Sequence, residues 1–173
     1  MTSTIGSPVP SGGPAGEQTM KRISSRFAAG VTVVTTVSES GFHGLTVSAY
    51  LTVSWDPPLV LVSIQALNQS CDTIKASGVF AVTFLSDRQE FLSESFAGRA
   101  PLVNLRFEGV PYRIEATGAP ILEDGLAWLD CRVEQVIEAG DHILFLGRVV
   151  RAGEGAPDNA LVYYARRYRH VEP

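Results

Sequence analysis

The stretch GLTVSAYLTVSWDPPLVLVSI, Gly44 to Ile64, constrains the fold more than any other part of the chain. Apolar and small hydroxyl residues alternate along it, Pro57 and Pro58 interrupt it, and it resumes as an apolar run. Period-two alternation on both sides of a tight turn predicts neighbouring antiparallel strands. The polar positions before the turn are Thr46, Ser48, Thr52 and Ser54, and a strand with one face in water ordinarily carries charges there. The alternation predicts these four hydroxyls on the open face, and a face without charge needs a reason.

Strand signals recur at Val31–Val37, Leu59–Gln65, Val79–Leu85, YRIEA from Tyr112, LAWLDCRVEQVIE from Leu126, HILFLGRVVRAG from His142 and ALVYYARRY from Ala160. In the Leu126 run, Asp130, Arg132 and Glu134 are expected on one face, with Leu129, Cys131 and Val133 on the other. Helical spacing predicts short helices at KRISSRFAAG, ending at Gly30, at Ser70–Gly78, and at Asp87–Gly98 with an Asp87/Glu90 capping box. SESGFHG reads as a turn and residues 99–109 as a loop. Strands joined by short turns in one small domain predict a mostly β chain, with an antiparallel sheet closed into a barrel and two or three short flanking helices. Residues 1–19, rich in Ser, Gly and Pro, read as a disordered tail before a domain spanning 20–173.

Several function classes fall away. The net charge of −4 does not favour nucleic acid or anionic lipid. No apolar run is long enough to span a bilayer. Cys71 and Cys131 are far apart and form no C-x-x-C pair, which suits reduced thiols in a cytoplasmic protein. His43, His142 and His170 have no ligand spacing, so no metal is expected. P-loop, Rossmann and nucleophile-elbow motifs are absent. Only 18% of residues are charged, which fits a surface partly covered by a second subunit.

Two hydroxyl clusters remain. Thr46, Val47, Ser48 and Ala49 are small enough to bring backbone amides close to a ligand, or they are a Thr-rich edge strand. Ser63, Asn68, Ser70 and Thr73 lie at a strand end and a helix start, which suits a phosphate; N-capping by Ser70 explains the spacing equally well. The basic RRYRH run, Arg166–His170, is either a solvated end, a nucleotide-phosphate contact or a single-strand nucleic-acid surface. Trp55 and Trp128 read as core or interface anchors.

AAGVTVVTT, GLTVSAYLTVSWDPPLVLVSI, NQSCDTI, SGVFAVTFLS, FAG and AGDHILFLGRV occur in that order, and together they resemble the short-chain flavin reductase family, the reductase components of two-component flavin monooxygenases. The resemblance covers about Ser24 to Tyr168 and implies an FMN-binding split barrel that passes a hydride from NADH or NADPH to FMN or FAD. It also implies a homodimer and a flavin-dependent monooxygenase partner supplied by diffusing reduced flavin. By the same resemblance, Thr46–Ala49 run along the flavin, while Ser63, Ile64, Asn68, Ser70 and Thr73 hold its ribityl chain and phosphate. Phe96, Ala97 and Gly98 match the FAG beside the flavin, followed by Arg99. His142 matches the histidine near the nicotinamide, and Tyr164 and Arg166 lie in the terminal segment near the nucleotide. The family often has Thr where this chain has Ala29. Hydride transfer needs no nucleophile or metal from the protein, so neutral hydroxyls and amides suffice, which accounts for the uncharged face. The alternative is a flavin-binding split barrel without reductase turnover.

Overall fold

The computed structural model describes residue 13 and residues 15–99 and 107–171. The predicted tail therefore lies mostly outside the described residues, as does most of the 99–109 loop. Among the described residues there are three α-helices, α1 (Glu17–Ser24), α2 (Gln69–Ser77) and α3 (Glu90–Phe96). The strands are β1 (Ala29–Gly30), β2 (Thr32–Ser38), β3 (Gly41–Val47), β4 (Tyr50–Trp55), β5 (Pro58–Gln65), β6 (Val79–Phe84), β7 (Tyr112–Ile114), β8 (Pro120–Leu122), β9 (Ala127–Ala139), β10 (His142–Glu154), β11 (Leu161–Tyr164) and β12 (Arg167–His170). The chain is mostly β.

Seven strands form one sheet in the order β3-β2-β6-β9-β10-β5-β4, and every ladder in it is antiparallel. Its two edges, β3 and β4, are consecutive in the chain and joined only by Ser48 and Ala49. Three Cα steps span at most about 11 Å, whereas seven flat strands would spread over roughly 29 Å. The sheet must therefore curl until its edges approach. The core shows the same thing: Leu45 and Val47 from one edge strand pack in one buried cluster with Val60, Val62 and Ile64 of β5, beside the opposite edge. Phe80, Phe145, Cys71 and Ile74 complete that interior, the last two from α2. A second cluster, Val31, Val33, Leu85, Phe96, Leu122 and Leu161, lies on the outer side of β2 beneath α3. Because β2 is covered on both faces, its threonines are buried, and their hydroxyls are satisfied locally: Thr32 donates to Val47 O at 2.7 Å and Thr36 to Val79 O at 2.8 Å.

The structure departs from the sequence reading in several places. Helix α1 ends at Ser24, before the expected Gly30, and none of its residues is buried. SESGFHG contributes only a tight turn, because β3 already starts at Gly41. The run from Leu45 to Ser54 is two strands broken at Ser48. On β4 the expected faces are exchanged: Leu51, Val53 and Trp55 are exposed, while Thr52 turns inward and shares a hydrogen bond with the Tyr50 hydroxyl at 3.0 Å. Trp55 is thus not a core residue; Trp128 packs beside Ile121, with the Arg113 guanidinium 4.8 Å above its ring. The capping box falls one residue early, with Ser86 N donating to Gln89 Oε1 at 3.0 Å. Asp130 is buried beside Cys131 instead of facing water, because the Thr117 amide and hydroxyl both donate to its carboxylate. ALVYYARRY is not one strand but part of the β11–β12 hairpin, turning at Ala165 and Arg166 with φ of 51° and 61°, and joined to β1 in a separate three-stranded sheet.

Where β10 ends, Gly155 N donates to Leu126 O at 2.8 Å, drawing the strand's exit against the segment that enters β9.

Candidate functional site

Because the chain crosses from one sheet edge to the other at Ser48–Ala49, this short link forms the floor of a cleft of about 320 Å³. Thr46 and Val47 line it from the end of β3, Ser48 and Ala49 from the link, Ser63, Ile64 and Gln65 from the end of β5, and Asn68 from the start of α2. Phe96, Ala97 and Arg99 close it from the end of α3, and His142 from the start of β10. Four distant segments of the chain thus converge, and most of the residues expected from the sequence are among them.

Each wall has a local cause. Thr46 Oγ1 donates to Ser93 O at 2.6 Å, tying β3 to α3, so this hydroxyl is committed to the scaffold. Ser93 in turn shares a hydrogen bond with the Tyr168 hydroxyl at 2.9 Å, tying α3 to β12. Val47, Ile64 and Phe96 are buried in the two cores, so they fix the wall and present mainly backbone. Helix α3 ends because Gly98 takes a left-handed φ of 72°, a conformation glycine adopts without strain. FAG therefore has a scaffold reason too: a buried anchor, a small residue and a helix stop. The Ser48 and Ser63 hydroxyls have no hydrogen-bond partner among the described residues.

The charge in the cleft is sparse. Arg99 Nη1 lies 3.3 Å from Glu94 Oε1, and a hydrogen bond to Tyr163, more than any other influence, holds the guanidinium in its charged form. Burial pushes the Tyr168 phenol up to about 12 against the opposing hydrogen bond from Ser93, so it stays neutral. At the other rim His142 Nδ1 is 2.8 Å from Asp141 Oδ1. That hydrogen bond holds the Asp141 carboxyl below the usual carboxylate range. With Nδ1 engaged, Nε2 is left without a partner among the described residues and is the acceptor when the ring is neutral.

Five expected residues lie elsewhere. Ser70 is buried, and the helix cap is Asn68, whose Oδ1 accepts from Ser70 N at 2.9 Å. Thr73 faces a different cleft, of about 930 Å³, on the far side of α2 with His43, Asp72 and Arg132. Gly98 lies just past the wall as its helix stop. Tyr164 is out of phase: Tyr163 is the residue that stacks edge-on with Tyr168 at 5.3 Å and, with Arg99, lines a small cleft sharing Thr46, Ser48 and Ala97. Arg166 lines a further cleft, of about 610 Å³, that shares Ser48 and Ala49. Gln65 and Tyr163 were missed. The pairing of Tyr163 with Tyr168 was the available signal, since a two-residue hairpin places them opposite each other.

The arrangement suits a large, flat, mostly uncharged ligand that approaches backbone closely: short side chains on the floor, open hydroxyls, one guanidinium and one imidazole. No group of three or more metal-ligating side chains occurs among the described residues.

Residues 24–172 match the sequence profile of the family described as "Flavin reductase like domain". The chain is 39% identical over 138 residues to a probable flavin reductase of Rhizobium meliloti (strain 1021), covering 79% of this chain and 43% of that protein. It thus spans less than half the length of that relative. It is 32% identical to the reductase subunit HsaB of a flavin-dependent monooxygenase from Mycobacterium tuberculosis, covering 90% of this chain and 83% of the subunit. The structure of the Streptomyces globisporus NADH:FAD oxidoreductase SgcE6 superposes with a TM-score of 0.87 at 30% identity, over 96% of this chain and all of that one.

Proposed function

The chain belongs to the flavin reductase like domain family, and from that membership we propose that it is an NAD(P)H:flavin oxidoreductase supplying reduced flavin to a partner monooxygenase. The observation that carries this reading is the sparsely charged cleft built on the Ser48–Ala49 link, where the expected flavin-side residues and His142 meet. When bound, the flavin supplies the acceptor for the hydride of a reduced nicotinamide. The chain's own task is to place the two rings face to face and exclude water. In this reading the Thr46–Ala49 backbone and the Ser63 hydroxyl hold the flavin, and Asn68 and Arg99 sit within reach of its polar tail. His142, oriented by Asp141, positions the nicotinamide. The open arrangement suits a flavin that leaves after reduction, as the name of the HsaB relative, a monooxygenase reductase subunit, suggests.

The test is consumption of NADH when free FMN or FAD is added to the purified protein. Turnover of either flavin is the expected result. A protein that holds flavin, is yellow and leaves NADH intact is instead a flavin carrier on the same scaffold, and the reductase reading is wrong.

We also infer that the curled sheet closes as a split barrel and that the protein works as a homodimer. Edge strand β4 presents Leu51, Val53 and Trp55 to solvent, Trp55 at 86% exposure. An exposed apolar face of this kind is a liability that a second subunit covers. Light scattering at micromolar concentration is expected to return twice the chain mass, and a Trp55→Glu variant is expected to shift toward monomer. A monodisperse monomer of the unaltered protein sinks the inference. Among the described residues no helix is long and apolar enough to cross a membrane. Cys71 and Cys131 are both unpaired and buried, which supports a reducing, cytoplasmic setting.

A further inference from the structure

The guanidinium of the flavin-side cleft belongs to Arg99, and the residues that hold it lie outside that cleft. The end of α3 sets its backbone, where Arg99 N donates to Glu94 O at 3.0 Å. Its side chain meets Tyr163, whose hydroxyl accepts a hydrogen bond from it. It also meets Glu94, whose Oε1 lies 3.3 Å from Nη1.

These two neighbours act differently on the charge. A guanidinium has five N–H donors, so a neutral hydroxyl can fix its plane and leave other donors for an acceptor in the cleft. Tyr163 does this from behind. With Arg99, Thr46 and Ser48 it lines a small cleft of about 100 Å³, below the size of a ligand site. The Tyr168 ring braces it edge-on at 5.3 Å. Glu94 instead occupies donors with a full negative charge. The Tyr168 hydroxyl, bonded to Ser93 at 2.9 Å, also meets the Glu94 carboxylate, so the carboxylate is held on the guanidinium. A phosphate that reaches Arg99 therefore meets a like charge beside it. The Arg99 and Glu94 side chains are 56% and 30% exposed, and a pair that open is weak, so the competition is a matter of a few fold and not exclusion.

We propose that Tyr163 and Glu94 act in opposite senses through Arg99 to set how tightly the phosphate of the flavin is held: Tyr163 positions the guanidinium for the phosphate, and Glu94 competes with the phosphate for it. This rests on the reductase reading for the identity of the ligand. Neither residue lines the flavin-side cleft, so both are positioning residues. Within that reading the opposition has a use. A reductase that passes its product on must let the flavin go, and a built-in competitor keeps the phosphate contact short-lived, because affinity at one site is tuned mainly through the rate of leaving.

The test titrates FMN and riboflavin, which differ only in the phosphate, into the full-length protein and into Arg99→Gln, Tyr163→Phe and Glu94→Gln, following the quenching of flavin fluorescence. Tyr163→Phe keeps the ring beside Tyr168, and circular dichroism verifies that each variant is folded. The unaltered protein is expected to prefer FMN to riboflavin, and Arg99→Gln to lose most of that preference. Tyr163→Phe is expected to lower the preference about tenfold, the size of one hydrogen bond to a charged group. Glu94→Gln is expected to raise it about threefold, the size of a partly exposed ion pair, and to slow FMN dissociation in stopped flow by the same factor. The Kd for riboflavin is expected to stay fixed throughout, which a merely structural role of either residue would not allow. A preference unchanged in Tyr163→Phe, one unchanged or lowered in Glu94→Gln, or a riboflavin affinity that falls in step with that for FMN overturns the proposal. NADH consumption in the same preparations is scored separately. A protein that turns over but shows one preference in all variants has lost only this proposal. One that shows the expected preferences without turnover has lost only the reductase reading, and one that binds neither flavin has lost both.

Discussion

His142→Ala is expected to slow NADH-dependent flavin reduction about a hundredfold, the loss that misalignment of a donor alone can produce. The imidazole stands at the start of β10, facing Gln65 across the β5 ladder, and its Nδ1 is anchored on Asp141. This anchor fixes the ring plane and leaves Nε2 turned to other partners. Flavin held by the Ser48–Ala49 floor and the end of β5 does not depend on that rim, so flavin affinity is expected to change little. Stopped-flow reduction should show a lower limiting rate, a higher apparent constant for NADH, or both. Dithionite bypasses the nucleotide and should reduce bound flavin normally. A variant that keeps the wild-type rate and NADH dependence removes His142 from the mechanism and leaves it as a solvated turn residue.

A larger effect on the fold is expected at Gly155. A Cβ built there would lie 1.8 Å from Gly125 O, 2.9 Å from Gly125 C and 3.2 Å from Leu126 C. All three are backbone atoms, and the 2.8 Å hydrogen bond from Gly155 N to Leu126 O draws the same segments together. No side chain can rotate away, so one segment must move and the hydrogen bond must lengthen. Gly155→Ala is expected to cost about 3 kcal/mol, at the upper end of ordinary overpacking, and to lower Tm by roughly 6–12 °C for a domain of this size. Gly30→Ala is the control, since a Cβ there meets nothing within 4 Å. If both variants melt together, the close approach at Gly155 is absent from the molecule in solution.

What could be read from the residues was whatever depends on neighbours in the chain. β-Branched alternation located most of the strands, and the short helical runs located α2 and α3 approximately. The site residues on β3, β5, α3 and β10 were legible through the order of their motifs, and ten of the expected positions plus His142 line one cleft. What escaped depends on contacts across the fold. Ser48 looks like any strand residue, because a break between two edges of a sheet leaves no local trace. The exchanged faces of β4 follow from that break, since the link resets the phase of alternation. Asp130 was placed in water because nothing nearby in the chain announces Thr117 as its partner. Asn68 and Ser70 are both good caps, and which one serves depends on where the helix begins. The Glu17–Lys21 spacing was visible, and it would have placed α1 earlier.

The seam at Ser48–Ala49 also sets where this scaffold has room to vary. One residue inserted or deleted there would shift the phase of alternation and turn every side chain of β4 to the opposite face. The floor is therefore closed to changes of length. The rims are not: α1 lies against the body without a buried residue, and the β11–β12 turn is exposed. Lengthening or re-charging these segments disturbs no core contact. New ligand preferences are therefore more easily built into the rims than into the floor.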